Sequence, residues 1–181
     1  SWAGACGLMQ IMPSTAAHLG LPMSMVHDAE SNVAAAAKYM AELQGHFSDV
    51  GDPSQRILFA LAAYNGGFHH IRDAMALTRK YGGNPYNWGS VKEFVLRLSQ
   101  ASYYSDPVVK YGYMRGMETV DYVDCIRSRW SEHNVAVPVF MKGIEEVVVL
   151  VAVSMARRCV LSAIISRNII FKTLCPGHYL G

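Results

Sequence analysis

The chain has 181 residues, a formal net charge of +2 and 51% hydrophobic residues, which suits one globular domain with a substantial apolar core. Its lysines and arginines form no basic stripe with interleaved aromatic residues, so the composition gives no support for nucleic-acid binding. The charge is uneven, because residues 1–134 hold eleven Lys/Arg against twelve Asp/Glu, whereas residues 135–181 hold five against two. No signal peptide is recognisable at Ser1, which leaves export undecided.

The first sixteen residues, Ser1 to Ala16, are too irregular for an amphipathic surface helix. Gly4 and Gly7 allow backbone geometries closed to other residues, and Pro13 is suited to begin a helix. Gln10 lies among apolar neighbours and must find a hydrogen-bond partner, in the protein or in a ligand. The residues alone therefore leave two interpretations open, a buried loop with a capping Gln or a binding surface.

Two helix starts follow in the sequence. A turn at residues 19–22 precedes Asp28, which we predict as the N-cap of a helix from Ala29 to about His46. Asp52, Pro53 and Gln55 then supply an N-cap, a first-turn proline and a capping-box partner. The helix over residues 56–63 is apolar on nearly all sides, which predicts a place in the middle of the domain.

That central helix ends in Tyr64-Asn65-Gly66-Gly67, which leaves two polar side chains on an apolar scaffold. Further helices are predicted over residues 68–80 and 90–98, and from Glu118 to about His133. Between the last two lies a segment dense in tyrosine, residues 103–116, and tyrosine suits stacking on the C–H faces of sugars. The sequence therefore predicts a mainly α domain of about six or seven helices.

From residue 135 the composition shifts to Val, Ile and Ala, and neither apolar run reaches the roughly 20 residues needed to span a bilayer. Four interpretations stay open for this tail: two strands, a membrane-surface segment, a helix that covers the core, or sequence unrelated to the domain. We therefore divide the chain into a domain at 1–134 and a hydrophobic tail of unknown role at 135–181. The four cysteines show no metal spacing and predict isolated buried thiols, with a disulfide as the alternative; they are Cys6, Cys125, Cys159 and Cys175.

The opening stretch, with Ser1, Gly4-Ala5, Gly7-Leu-Met-Gln-Ile-Met-Pro13 and Thr15-Ala16, resembles the signature of the soluble-lytic-transglycosylase family. The resemblance continues through Ala63-Tyr64-Asn65 and Glu118-Thr119-Val120, and it covers residues 1 to about 134. It implies a goose-type-lysozyme-like fold and cleavage of peptidoglycan. In this family the catalytic Glu lies in a Glu-Ser motif shortly before the position of Ser1. We therefore expect the acid upstream of Ser1 and expect the 181 residues alone to be inactive.

The resemblance implies a mechanism with a single carboxylate, unlike the paired carboxylates of most glycosidases. One Glu protonates the oxygen of the β-1,4 bond between N-acetylmuramic acid and N-acetylglucosamine, and the muramoyl 6-hydroxyl then closes to a 1,6-anhydro product. Of the acids within the chain, Glu118 matches a groove residue of the family. Glu30, Glu42 and Glu93 fit ordinary solvated helix charges.

By resemblance, seven residues would bind substrate: Ser1, Met9, Gln10, Tyr64, Asn65, Tyr113 and Glu118. Met9 would line a glycan groove, Gln10 and Asn65 would bond to N-acetyl and sugar groups, and Tyr64 would stack or donate its hydroxyl. Plainer interpretations remain open from the residues alone, such as a core tyrosine, or a helix-start carboxylate at Glu118. The family often has Ala-Gly where this chain has Gly66-Gly67, so we expect a looser turn there.

The resemblance further implies peptidoglycan strands as the partner, a periplasmic or cell-envelope location and no cofactor or metal. It allows outer-membrane association of the full-length protein and leaves the oligomeric state open. Two alternatives to an enzyme remain: a catalytically dead peptidoglycan-binding remnant, and a non-enzymatic helical domain whose tail contacts a membrane or partner.

Overall fold

A computed structural model describes residues 4–134, so the predictions for Ser1 and for the tail at 135–181 lie outside the described residues. Within the described range the chain forms seven helices, which confirms the expected mainly α fold. None of the helices in this range is both long enough and apolar enough to cross a membrane. The described residues divide into two compact units, 4–36 and 37–134, each of which is described by itself.

The first unit contains α1 (Pro13–Leu19) and the start of α2 (Ala29–His46). Pro13 opens α1 as predicted, and Gly20 ends it in the left-handed conformation, with a φ of 73°. α2 begins directly after Asp28, whose carboxylate accepts a hydrogen bond from the Ser31 N–H at 2.9 Å. Hydrogen bonds from Ser31 hold the pKa of Asp28 below its ordinary value. The start and the end of α1 and the start of α2 are thus fixed by residues next to them in sequence.

The second unit holds the rest of α2 and five further helices: α3 (Pro53–Gly66), α4 (Phe68–Lys80), α5 (Trp88–Arg97), α6 (Ala101–Tyr104) and α7 (Gly116–Asn134). α3 packs against α4, α5 and α7. The five consecutive residues Phe59 to Ala63 are all buried, which confirms the central position predicted from the apolar composition of this helix. A helix surrounded by other helices needs an apolar surface on every side.

The start of α3 is capped as predicted by Asp52, whose carboxylate accepts from the Ser54 N–H at 2.8 Å. The expected capping box does not form, because the side-chain oxygen of Gln55 accepts instead from the backbone N–H of Trp88 at 2.8 Å. Trp88 is 1% exposed, and its ring meets Phe59 edge-on at 5.8 Å. Gln55 therefore links the start of α3 to the start of α5 and satisfies a backbone donor there.

α5 begins two residues before the predicted Ser90, because the side chain of Asn87 caps it by accepting from the Ser90 N–H at 3.1 Å. α6 is one short turn that the sequence analysis did not predict. α7 begins at Gly116, where an added Cβ would lie 1.9 Å from the carbonyl oxygen of Val95. The start of α7 therefore lies directly against the backbone of α5.

Arg72 of α4 binds the end of α2 and the residues that follow it. Its guanidinium makes paired bonds to the Asp49 carboxylate at 2.7 and 2.9 Å, and donates to the His46 carbonyl at 2.6 Å. It also lies over the rings of Phe47 and Phe68, 4.8 and 5.3 Å from their centres. Hydrogen bonds from Arg72 hold the pKa of Asp49 below its ordinary value.

Candidate functional site

A pocket of about 270 Å³ lies where the end of α3 meets the start of α7. Residues from four parts of the second unit line it: Asn65 and Gly66 from α3, His70 from α4, Tyr113 to Arg115 from the loop before α7, and Glu118 and Thr119 from α7. Three of the predicted substrate-binding residues, Asn65, Tyr113 and Glu118, are therefore brought together although they are far apart in sequence. A concave surface lined by a few polar groups is the usual form of a small-molecule site.

Asn65 is oriented by α7. The hydroxyl of Thr119 donates to the Asn65 side-chain oxygen at 2.8 Å, and Thr119 itself is 2% exposed. Because this bond occupies the oxygen, the amide nitrogen Nδ2 is the polar group left to meet a ligand. It has no hydrogen-bond partner among residues 4–134. Asn65 is therefore held as a hydrogen-bond donor at the pocket.

Gly66 lets the loop and α7 approach this end of α3 closely. A Cβ at this position would lie 2.2 Å from Met114 Cε and 2.5 Å from Thr119 Oγ1. Gly66 is the last residue of α3, and Gly67, which has a φ of 90°, caps the helix. A closely packed wall thus occupies the space that a side chain would need, and the expected looser turn stays a prediction.

The segment from 105 to 115 carries Tyr113 to the pocket and is fixed at several points. The carboxylate of Asp73, in α4, accepts from the backbone N–H groups of Lys110 at 3.0 Å and Tyr111 at 2.7 Å. Asp73 is 3% exposed, so these charge-assisted bonds are shielded from water. The N–H of Met114 donates to the Leu98 carbonyl at 3.1 Å. This irregular segment is thus held by α4 and by the residue that follows α5.

Two further contacts support the same segment. Lys80 pairs with Asp106 near its start, and this pairing lowers the pKa of Asp106 and raises that of Lys80. The ring of Tyr113, which is 54% exposed, meets Tyr104 edge-on at 5.9 Å. A largely exposed aromatic ring held by a second ring presents an apolar face to solvent at little cost in side-chain entropy.

Tyr64 is half-buried near the end of α3 but is not among the residues that line this pocket. Its ring packs at 5.6 Å from Tyr39 of α2. Burial raises the pKa of the Tyr64 hydroxyl far above its ordinary value, and Tyr39 adds to the shift. The phenol therefore stays protonated at neutral pH and is able to donate a hydrogen bond.

The opening segment belongs to the first unit and is folded around Asn32 of α2. Asn32, which is fully buried, accepts from the Met9 N–H at 2.7 Å and donates to the Val26 carbonyl at 3.0 Å. An added Cβ on Gly7 would lie 2.3 Å from the Asn32 amide nitrogen, so this position requires glycine for close approach as well as for its φ of 74°. The buried amide thus fixes the shape of the loop.

The predicted roles of Met9 in lining a glycan groove and of Gln10 in bonding to the sugar stay predictions. The Met9 side chain is 1% exposed. Gln10 has a φ of 52°, unusual for a residue with a side chain, and its amide nitrogen donates to the Gly7 carbonyl at 2.9 Å. Its side-chain oxygen is the group that this bond leaves for another contact. Cys6 and Cys125 are unpaired and half-buried, whereas Cys159 and Cys175 lie outside the described residues.

His70, Arg115 and Thr119 line the pocket but were not predicted from the sequence. Thr119 could have been suspected from its place beside Glu118, yet its bond to Asn65 joins residues 54 positions apart, and no local pattern records such a bond. No group of three His, Cys, Asp or Glu side chains in residues 4–134 is placed to hold a metal ion. The site, as described, offers hydrogen bonds and an aromatic face.

Comparison with known proteins agrees with the resemblance in the sequence. Residues 1–87 match the family model of the transglycosylase SLT domain. Relatives include membrane-bound lytic murein transglycosylase F of Desulfosudis oleivorans, 41% identical over 126 residues, and of Klebsiella pneumoniae, 44% identical over 124 residues. These alignments cover 70% and 68% of this chain but 27% and 24% of the relatives. The chain therefore spans about a quarter of the length of the curated relatives it matches.

Proposed function

We propose that the protein is part of a peptidoglycan lytic transglycosylase of the cell envelope, because residues 1–87 match the family model of the transglycosylase SLT domain. The observation that carries the proposal is the pocket that gathers Asn65, Tyr113 and Glu118. The names of the relatives, which are murein transglycosylases, support the same substrate class. We propose a periplasmic location on the same ground.

The reaction we propose breaks the β-1,4 bond between N-acetylmuramic acid and N-acetylglucosamine. A Glu that precedes Ser1 donates its proton to the leaving oxygen of N-acetylglucosamine. The resulting carboxylate then accepts the proton of the muramoyl 6-hydroxyl as its oxygen bonds to the anomeric carbon. No water is consumed, because a hydroxyl held on the same sugar has an effective molarity of about 10⁵ M or more when well oriented.

The described residues would hold the glycan strand for this step. Asn65 would donate from Nδ2 to a carbonyl or ring oxygen, because its own oxygen is already bonded to Thr119. Glu118 is exposed at the pocket and would accept bonds from sugar hydroxyls. The ring of Tyr113 would stack on the C–H face of a sugar. These contacts contribute to catalysis only to the extent that they orient the bond to be broken.

Activity is tested with the chain extended by the residues that precede Ser1 in its gene, including the Glu-Ser motif. We expect digestion of purified glycan strands to release products lighter by one water than hydrolysis products, as mass spectrometry would show. The 181 residues alone are expected to bind the strands without releasing anhydro products. Release of those products by the shorter chain would show that the acid lies within it.

Asn65→Asp is the sharpest test of the pocket, because the variant keeps the oxygen that accepts from Thr119 and removes the Nδ2 donor. We expect kcat/KM to fall about tenfold, the effect of roughly 1.4 kcal/mol lost from one hydrogen bond. Asn84→Asp is the matched control, since the exposed Asn84 uses only its oxygen, toward the Tyr86 N–H. Equal activity of the two variants would remove Asn65 from the substrate site.

The second candidate is a peptidoglycan-binding domain without turnover. The same pocket supports it, because glycan binding requires the hydrogen-bonding groups but not the acid. If the extended chain binds glycan strands as tightly as the 181 residues alone do but releases no anhydro product, this second function replaces the first.

A further inference from the structure

His70 is a pocket residue whose two ring nitrogens lie in different surroundings. It is the third residue of α4, and its half-buried ring lines the pocket beside Asn65 and Gly66. Nδ1 is shielded from solvent and has no hydrogen-bond partner among residues 4–134. Nε2 is not shielded in this way, and the described residues give it no partner either. The edge of the ring that a ligand can reach is therefore the one that carries Nε2.

This asymmetry selects one tautomer of the neutral ring. A proton on Nδ1 would leave a buried N–H without an acceptor, which forfeits a hydrogen bond that water would have supplied. A proton on Nε2 leaves only a lone pair at the buried position and keeps the N–H where water or a ligand can accept it. Imidazole side chains already prefer the Nε2–H form in water, so both effects act in the same direction. His70 is thus set to donate at the pocket.

The neighbours of His70 add further donors. The bond from Thr119 leaves Asn65 with its Nδ2 donor. Amide and imidazole N–H groups on one pocket suit an oxygen with available lone pairs. Glu118 is the acceptor among the lining residues and suits hydroxyl groups instead. The donors therefore suit an acyl oxygen of the ligand. The glycan of peptidoglycan carries two kinds, in its N-acetyl groups and in its lactyl groups.

We propose that His70 donates its Nε2–H to an acyl oxygen of the bound glycan, either the carbonyl of an N-acetyl group or the carboxyl oxygen of the lactyl group. This assignment rests on the proposed peptidoglycan substrate. It makes His70 a residue that binds and positions the strand and leaves the proton donor of the reaction unchanged. It also explains why the polar atom Nδ1 is buried without a partner, since the unpaired position needs to carry no proton.

The test is a pair of substitutions that reproduce one ring nitrogen each. The amide nitrogen of His70→Gln reaches the position of Nε2, whereas that of His70→Asn reaches only the position of Nδ1. We expect the full chain with His70→Gln to bind glycan strands within about twofold of wild type, and His70→Asn to bind about tenfold more weakly, as expected for one lost hydrogen bond. His69→Asn is the control, because His69 is exposed and stacks on Tyr111 at 4.2 Å outside the pocket lining.

Three ligands distinguish the source of the acyl oxygen in calorimetric titrations. N-acetylchitohexaose carries N-acetyl groups only, the glucosamine hexamer carries no acyl group, and alternating N-acetylglucosamine–N-acetylmuramic acid strands carry N-acetyl and lactyl groups. If the N-acetyl carbonyl is the acceptor, His70→Asn weakens binding of the first and third ligands alike. If the lactyl oxygen is the acceptor, it weakens only the third. The glucosamine hexamer should bind wild type and His70→Asn equally.

Long-range ¹H–¹⁵N correlation spectra of His70 provide a readout that a merely structural role would not change, and we expect the Nε2–H pattern in the free protein. A spectrum of the Nδ1–H form, or equal binding of the strands by wild type and His70→Asn, would overturn the assignment while leaving the proposed function in place. Failure of His70→Gln to rescue binding, with an unchanged melting temperature, would overturn it as well. If wild type binds no strand at all, the proposed function fails first and this inference falls with it.

Discussion

Replacing Asp73 by Asn should release the segment that carries Tyr113 to the pocket. Each carboxylate oxygen accepts one backbone N–H, from Lys110 at 3.0 Å and from Tyr111 at 2.7 Å. The amide of Asn has the same shape but only one oxygen, so one backbone N–H would face an NH₂ group. The substitution therefore removes one bond, weakens the other by removing the charge, and leaves a donor opposed to a donor.

The expected loss follows from these two bonds. A hydrogen bond to a charged group is worth about 1.5–3 kcal/mol, and the site is only 3% exposed, so solvent screening is small. We expect Asp73→Asn to lower the free energy of unfolding by about 2–3 kcal/mol, equivalent to a fall in Tm of roughly 4–12 °C. If the segment detaches, water can solvate the freed N–H groups. This solvation limits the loss of unfolding free energy, both for Asp73→Asn and for Asp73→Ala.

Urea unfolding followed by circular dichroism measures this loss, and titration with glycan strands measures its effect on the pocket. Asp124→Asn is the matched control, because Asp124 is 44% exposed and its pairing with Lys92 at 3.7 Å is a surface ion pair worth about 0–1 kcal/mol. We expect Asp73→Asn to weaken glycan binding more than Asp124→Asn does. Equal unfolding midpoints for the two variants would refute the reasoning that buried, charge-assisted bonds hold the segment.

Gly116→Ala should destabilise the protein by about 1–3 kcal/mol or more in thermal unfolding, because its Cβ would overlap the backbone of α5 at 1.9 Å, whereas Gly45→Ala, in open space on α2, should stabilise it by about 0.5–1 kcal/mol. Unchanged or increased stability of Gly116→Ala would contradict this packing. Gly66→Ala should cost about 1–3 kcal/mol, and a double-mutant cycle with Met114→Ala should show a smaller loss than the sum, because truncating Met114 removes the contact at 2.2 Å; simple additivity would exclude that contact. Because hydrogen bonds from Arg72 hold the pKa of Asp49 below its ordinary 3.8, the stability from this pair is present above about pH 4 and is lost as the pH falls below it. Asp49→Asn should therefore flatten the decline in unfolding free energy below about pH 4 by ~1 kcal/mol or less, since both side chains are partly exposed, and an unchanged profile would disprove the coupling.

The helix boundaries were largely predictable because their causes are local. The N-caps of Asp28 and Asp52, the proline that opens α1 and the left-handed Gly20 that closes it all act within about four residues along the chain. The central position of α3 followed from its apolar surface on all sides. The resemblance of the opening stretch to the soluble-lytic-transglycosylase family was visible in the same direct way, because a motif is a property of neighbouring residues.

The roles of other residues could not be predicted, because they depend on contacts between residues that are distant in sequence. Gln55 fits a capping box by spacing, yet its oxygen binds the Trp88 N–H, 33 residues away. Gly66 reads as a turn residue, but in the structure it gives Met114 and Thr119 the room to pack against α3.

The sequence by itself therefore determined the helical class and most helix ends, which depend on short-range hydrogen bonds and hydrophobic periodicity, and it carried the resemblance to the soluble-lytic-transglycosylase family. Only the tertiary structure placed Asn65, His70, Tyr113 and Glu118 around one pocket, and showed that Thr119 and Asp73 hold Asn65 and the tyrosine-bearing segment in place. The physical reason is that a side chain chooses its hydrogen-bond partner among all groups within reach in space. The bonds that hold Asn65 and the tyrosine-bearing segment join residues 37 to 54 positions apart in sequence.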